Sequence, residues 1–419
     1  MSLALALVSC GKNDVFEIIL PSDIVSTSCK EGKINIPLNA TFDYDVKIAG
    51  DAGSWISVAS KSRSELVLFV YANSAEQSRS GKVYLRHGDT TIRTITVRQN
   101  EYEPDEPEET ELKYSAPENK KFIRMAYFPA YRADVYEKMP DDFFQTVDVA
   151  FYAFATINND FTVSVPGPAT LTTLVKKCKK YGVKVVLSFA GTAATYKEMV
   201  KTRSSRRKFI KSVMAAVEEY KLDGVDNDWE YPSAGDHTKH GNLLLMREFS
   251  NIIHAPGSEM TLSMAITPGI YANNYQKGID PGVYDCCDWF GVMVYDDANP
   301  HSSYDMMGKA YNWWVGSAKM PAYKFIGGMP AYGRATGDNW SKSKTYASLV
   351  DTYGADPDAD NATADGLAFN YNGRKTIAKK TQFLIDKKTG GYFFWEAGQD
   401  KTDDKSLLRT AADVAAAAL

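Results

Sequence analysis

Three acids at alternate positions, Asp226, Asp228 and Glu230, stand in the stretch "LDGVDNDWEYP" that runs from Leu222 to Pro232, with Asp223 just upstream. In an extended strand alternate side chains share a face, so these carboxyls point one way while Val225, Asn227 and Trp229 point the other. Successive members are about 7 Å apart. At that spacing mutual repulsion and partial burial raise the pKa of at least one member, and one carboxyl keeps its proton near neutral pH, as a general acid must. Glu230 is the last of the three and the nearest to the strand's C-terminal end. Other chemistry fits these residues less well. A calcium loop of the D-x-D-x-D-G type needs glycine where Tyr231 stands, and a magnesium site of clustered acids would lack a phosphate-cradling glycine loop. A purely structural network would need hydrogen-bond partners for each buried acid. No metal or other cofactor is expected.

The elements that must position these acids are legible downstream of Lys120, where short apolar runs alternate with helical-period stretches over roughly the 250 residues of a (β/α)8 barrel. Eight runs read as strands: "FIRMAY", "VDVAFYAF", "KVVLSF", "LDGVDNDWE", "MTLSMAI", "WFGVMVY", "FIGGMP" and "GYFFW". Between the second and third, Leu171, Leu174, Val175 and Cys178 recur at i, i+3, i+4 and i+7, and Gly182 stands where a helix would stop. Phe209, Ile210, Val213, Met214 and Val217 repeat the pattern before the fourth run. Strands separated by helices imply a parallel sheet, and a barrel presents strand C-termini at its catalytic face, which places Glu230 at the mouth. The expected fold class is α/β, a TIM (β/α)8 barrel over residues 120–419, preceded by a small immunoglobulin-like β-sandwich. That sandwich is read over residues 15–100 from runs such as "KINIPL", "ELVLFVYA" and "TIRTITVRQ", bounded by turn residues. Between them, Glu101 to Glu111 holds seven acidic residues broken by Pro104 and Pro107, so residues 101–119 read as a solvated, extended linker.

The chain of 419 residues is long enough for two or three domains. With 48 basic against 52 acidic residues, its net charge of -4 gives no reason to expect nucleic acid or an anionic membrane surface. Its 25 Tyr and 7 Trp exceed what a core needs, and flat rings are what apolar sugar faces stack against. No run approaches the roughly 20 apolar residues that span a bilayer. The opening "MSLALALVSC" resembles the lipobox of bacterial lipoprotein signals, so residues 1–14 read as a signal remnant and tether, with Cys10 as the acylated residue. A lipid anchor there is the one membrane association expected, and it implies the bacterial cell envelope. Cys29, Cys178, Cys286 and Cys287 read as buried free thiols, the His residues show no ligand spacing, and a monomer is expected.

The motif Asp223-Gly224-x-Asp226-x-Asp228-x-Glu230, continued by Trp229, Tyr231 and Pro232, resembles the D-G-x-D-x-D-x-E signature of glycoside hydrolase family 18, the chitinase family. Met293-Val294-Tyr295-Asp296 matches its M-x-Y-D on the sixth strand, and Trp395 ends the eighth strand where the family has a tryptophan floor. On the third strand, Ser188-Phe189-Ala190-Gly191 departs from S-x-G-G but keeps the serine. The resemblance spans about Lys120 to Asp400 and implies substrate-assisted, retaining cleavage of β-1,4 bonds in N-acetylglucosamine-containing glycans, with Glu230 as acid and base. Asp228 would orient the sugar's acetamide, Asp226 with Ser188 would be its inner partner, and Tyr295 would bind the acetamide oxygen. Asp296 would hold a sugar hydroxyl and Trp395 would floor the cleavage subsite. Met293, Tyr127, Phe154, Trp229 and Tyr332 are further groove candidates, Asp223 a supporting one, and Trp313, Trp314 and Trp340 are candidates further out. Only about 59 residues separate Pro330 from Gly390, so the insertion that walls deep clefts is expected to be reduced or missing. In the N-terminal part, Trp55-Ile56, Ala72-Asn73, Arg79-Ser80-Gly81 and "ITVRQN" resemble BACON modules, with Trp55 read as a core residue. Rival readings are an endo-β-N-acetylglucosaminidase acting on N-glycans and a silent glycan-binding lectin.

Overall fold

The computed structural model describes residues 16–75, 77–101 and 109–419. Cys10, expected to be lipidated, the expected tether 1–14 and residues 102–108 of the expected linker lie outside them. The chain divides between Pro107 and Glu108 into two compact units.

In the N-terminal unit a four-stranded sheet runs in the order Ile24–Thr27, Thr90–Gln99, Arg79–His87, Asp45–Ile48. A three-stranded sheet runs Gly32–Pro37, Glu65–Val70, Ile56–Lys61. Alternating residues such as Ile36, Leu68, Val83, Ile95 and Val97 close one shared core, as a sandwich requires. Trp55 is buried in that core with the Arg79 guanidinium 4.5 Å from its ring, so it offers no open face.

The second unit is the expected barrel. Eight parallel strands, β1 (Ile123–Pro129), β2 (Val149–Ile157), β3 (Lys184–Ala190), β4 (Gly224–Asn227), β5 (Thr261–Ile266), β6 (Trp289–Val292), β7 (Phe325–Pro330) and β8 (Gly391–Trp395), follow one another round the sheet, and β8 returns to pair with β1. Helices α1 (Pro168–Lys180), α2 (Arg203–Tyr220), α3 (Thr238–Ile253), α4 (Tyr304–Tyr311), α5 (Arg374–Asp386) and α6 (Leu407–Ala418) lie among the elements outside it. Period-two alternation sorts the side chains. Met125, Tyr127, Phe151, Val186, Ala265, Trp289, Met293 and Phe393 fill the barrel interior, while Phe128, Leu187, Val225 and Phe290 join the layer under the helices. Phe393 needs room: a Cβ on Gly328 of β7 would stand 2.6 Å from its ring, so glycine there lets the aromatic fill the barrel's centre.

One expectation is corrected here and another is narrowed. The C-terminal half of the expected linker is no free tether. Thr110 donates to Glu248 at 2.8 Å, Asn251 accepts from the Lys113 and Tyr114 amides, and Ser250 donates to the Tyr114 carbonyl at 2.6 Å. Residues 110–114 are thus strapped along α3, because their backbone groups and Thr110 find side-chain partners there. The boundary accordingly falls well before Lys120. The insertion between β7 and β8 is reduced, not missing: strands Tyr332–Ala335, Ser343–Thr345, Asn361–Ala364 and Leu367–Asn370 form a small antiparallel sheet. Cys178, Cys286 and Cys287 are buried free thiols, as expected, and Cys29 is buried too.

Candidate active site

Strand register builds the innermost part of the site. Asp226 on β4 is paired with Ser188 on β3 and with Ser263 on β5, so three short polar side chains stand abreast on the inner wall. Ser188 donates to Asp226 Oδ2 at 2.7 Å, Ser263 donates to Oδ1 at 2.6 Å, and the Tyr127 hydroxyl, reaching across from β1, donates to Oδ2 at 2.8 Å. Burial lifts the Asp226 carboxyl above its ordinary value, and these three hydrogen bonds oppose that rise.

β4 ends at Asn227, one residue short of Asp228, yet the alternation persists into the loop that follows. Asp228 and Glu230 line one cavity of about 300 Å³. Asp228 Oδ1 is buried without a hydrogen-bond partner among the described residues. Burial, and then the charges of Glu230 and Asp226, hold the Asp228 carboxyl well above the usual range. Glu230 is open to solvent on its outer side and walled on the others. That crowding raises its carboxyl, the Tyr231 hydroxyl opposes the rise, and the charge on Asp296 adds to it. Asp228 and Glu230 therefore titrate as a pair that holds a proton to higher pH than a lone carboxyl would.

Around the pair the same cavity gathers Tyr127, Phe154, Met293, Tyr295, Asp296, Tyr332 and Trp395. Trp395 lies stacked with Phe154, ring centroids 5.6 Å apart, and Tyr127 leans on it at 5.4 Å. Tyr295 packs edge-on to Tyr332 and to Phe393, and burial keeps its phenol protonated far above neutrality. Asp296, with a left-handed φ of 65°, turns its carboxylate toward three donors: the Tyr332 hydroxyl at 2.6 Å and Arg334 Nε and Nη2 at 2.5 and 2.6 Å. Burial would raise this carboxyl, but the His301 ring, 3.8 Å away, and the hydrogen bonds from Arg334 and Tyr332 hold it well below the usual range.

Three expected site residues sit elsewhere. Trp229 is fully buried and stacks on Tyr196, ring centroids 4.5 Å apart and planes 4° from parallel. The alternation that turns Asp228 and Glu230 inward turns Trp229 out into the layer beneath the helices, so it does not line the groove. Asp223 accepts from the Val185 amide at 2.8 Å, clipping β3 to β4 at the end away from the pocket. Trp314 is likewise buried, its indole donating to the Thr267 carbonyl.

Arg334 escaped the sequence reading; it shares a face with Tyr332, at i and i+2, on a strand of only four residues. Tyr231, Tyr271 and Tyr275 were also missed. With Glu230, Tyr295 and Asp296 they line a second cavity of about 250 Å³, so Glu230 stands on the wall between two lobes of one cleft. Trp340, with Tyr271, Asp296 and Asn299, lines a further pocket of about 450 Å³.

Residues 123–400 match the family model "Glycosyl hydrolases family 18". A class V chitinase of Arabidopsis thaliana is 28% identical over 318 residues, covering 62% of this chain and 82% of the relative. Two solved structures share the fold. A chitinase from Bacteroides thetaiotaomicron is 21% identical with a TM-score of 0.61, covering 70% of this chain and 96% of that one. A chitinase-like agglutinin from Robinia pseudoacacia is 21% identical with a TM-score of 0.61, covering 70% and 99%. With the family model matching well over half of its length, the chain belongs to glycosyl hydrolases family 18.

Proposed function

We infer that the protein hydrolyses β-1,4 bonds in N-acetylglucosamine-containing glycans, chitin or chito-oligosaccharides, by substrate-assisted catalysis with net retention. One observation carries this reading: Asp228 holds a buried, unpartnered carboxylate oxygen between the clamped Asp226 and the solvent-facing Glu230. A buried acceptor without a donor is costly, and a substrate amide N–H is a donor of the right kind.

The steps follow from what each group can do. Trp395 and Phe154 offer the sugar a stacking wall. Glu230, holding its proton, delivers it to the glycosidic oxygen as that bond breaks. The carbonyl oxygen of the sugar's own acetamide attacks the anomeric carbon, closing a positively charged oxazolinium ring. Asp228 takes the acetamide N–H and neutralises that charge, while Asp226, pinned by Ser188, Ser263 and Tyr127, holds the negative field beneath it. Tyr295 donates to the acetamide oxygen and fixes its approach, a gain in prior alignment that an internal nucleophile exploits fully. Water then opens the ring with Glu230 as base, and no protein nucleophile is formed.

Incubation with chitotetraose and, separately, with an N-glycosylated protein tests substrate and function together. Shorter chito-oligosaccharides from the first and none from the second are expected. Release of glycans from the protein alone would replace this reading by that of an endo-β-N-acetylglucosaminidase, and binding without product would make the chain a lectin.

Around the catalytic unit we propose three finer features. The N-terminal sandwich is a BACON-like module, supported by its Trp55, Arg79-Ser80-Gly81 and "ITVRQN" marks. Cys10 carries a lipid that holds the enzyme at the bacterial cell envelope, supported by the lipobox-like "LVSC". The enzyme acts as a monomer. Metabolic labelling with a fatty-acid probe, lost in Cys10→Ser, tests the second, and the molar mass in solution by sedimentation equilibrium tests the third.

A further inference from the structure

The barrel unit carries a cavity larger than the catalytic one. A basin of about 880 Å³ lies between the start of α4, one face of α5 and the insertion sheet. Its floor is preformed: Lys380, wholly buried, donates to the Ser302 carbonyl at 2.9 Å, to Ser302 Oγ at 2.8 Å and to Asn372 Oδ1 at 2.8 Å, tying α5 to the loop before α4 and to the strand end at Asn372. Tyr304 stands on the rim, half exposed, and Phe383 holds it edge-on with ring centroids 5.9 Å apart. Asn370 donates to Asn361 across the insertion sheet, which leaves the Asn361 amide hydrogens without a protein partner among the described residues. Gln382 donates one amide hydrogen to Asp386 and keeps its carbonyl oxygen free.

An exposed ring beside unspent amide donors and acceptors suits a neutral polyhydroxylated ligand, whose ring face stacks and whose hydroxyls and amides exchange hydrogen bonds. The charges lining the basin argue against a polyanion, since Asp360 and Asp386 face Lys379 alone. The basin also lies one pocket away from the cleft. Asn299 lines both the basin and the Trp340 pocket, and Asp296 lines both that pocket and the catalytic cavity.

We propose that this basin is a second glycan-binding site, which holds a stretch of the same N-acetylglucosamine-containing chain beyond the catalytic cleft. It rests on the function inferred above and adds that long or polymeric substrate is gripped in two places, whereas a tetrasaccharide is held by the cleft alone. A preformed floor keeps the ordering cost of such a grip low.

Tyr304→Ala and Asn361→Ala, both at exposed positions, test this. Retention on swollen chitin is measured in the Glu230→Gln background, and chitotetraose hydrolysis is measured with Glu230 intact. Each substitution is expected to weaken retention about three- to tenfold, the loss of one stacking or amide contact, while kcat/KM on chitotetraose stays within about twofold. Unchanged retention in both variants overturns the proposal, as does a fall in chitotetraose hydrolysis that parallels the loss of retention. If the unsubstituted protein leaves chitotetraose intact, the functional reading itself fails. Cleavage of chitotetraose with retention indifferent to both substitutions sinks the basin alone, and absence of any retention on chitin sinks it as well. Unfolding midpoints in urea confirm that each variant is folded.

Discussion

Asp226 and Asp228 stand two residues apart on the same side of the chain, and the first accepts three hydroxyl hydrogen bonds while a buried oxygen of the second accepts none among the described residues. The contrast assigns different work to the two acids. Asp226 is fixed and cannot respond to a ligand without breaking its clamp, whereas Asp228 has an acceptor to offer.

That difference predicts the pH profile. Burial and like charge hold both Asp228 and Glu230 above their ordinary pKa values, and the acid must be protonated to act. Activity should therefore fall as pH rises through the raised value of the pair, with an alkaline limb above the usual carboxylate range. Asp228→Asn removes a negative neighbour, which lowers the Glu230 pKa and moves that limb to lower pH, along with a loss in kcat of about 10²- to 10³-fold. A limb that moves up, or stays, in the kcat/KM profile on chitotetraose would refute the coupling.

Tyr295→Phe keeps the ring that packs on Tyr332 and Phe393 and removes only the hydroxyl. Because the bond proposed for it to the acetamide oxygen would matter most as that oxygen attacks, kcat should drop about 10- to 10³-fold with KM changed little. Steady-state kinetics on chitotetraose separate this from a loss of ground-state binding, which would raise KM and spare kcat.

Arg334 clamps Asp296 with two parallel hydrogen bonds, a geometry that a lysine ammonium cannot copy. Arg334→Lys and Arg334→Ala should both reduce kcat/KM, by about tenfold or more, with lysine recovering only part of the loss. Freed from the guanidinium, Asp296 titrates at higher pH, so an acid limb should appear or move upward in the kcat/KM profile. An unchanged acid limb in Arg334→Ala would show that Asp296 is held by Tyr332 and His301 instead.

Trp229 offers the converse test. Stacked on Tyr196 inside the barrel's outer layer, it should behave as a core residue. Trp229→Ala should cost about 3–5 kcal/mol of stability, and Trp229→Phe less, with KM for chitotetraose unchanged in the folded fraction. Urea unfolding read by circular dichroism gives the first quantity. A raised KM in a Trp229→Phe protein of near-native stability would return this residue to the groove.

Much of this architecture is legible from sequence because it rests on periodicity. All eight barrel runs became strands, and the i, i+2 spacing of Asp226, Asp228 and Glu230 carried them to one wall even though β4 stops at Asn227. The same alternation already pointed Trp229 away from its acidic neighbours, and grouping it with the groove ignored that. Arg334 was hard to find for a different reason: it meets Asp296 from a sheet whose strands are three or four residues long, too short to show a pattern. Acidic and proline-containing sequence disguised the strap at 110–114, whose order comes from Glu248, Ser250 and Asn251 on a helix more than a hundred residues later. Contacts between distant segments leave no local signal in either.

The central claim is that Glu230 supplies the proton, and the most direct measurement compares Glu230→Gln with the unsubstituted enzyme on chitotetraose, following both turnover and binding. An amide of the same shape cannot donate as the acid does, so kcat should fall by at least about 10²- to 10⁴-fold while the tetrasaccharide still binds with an affinity within a few-fold of the original KM. Retention of full turnover by that variant would contradict the account.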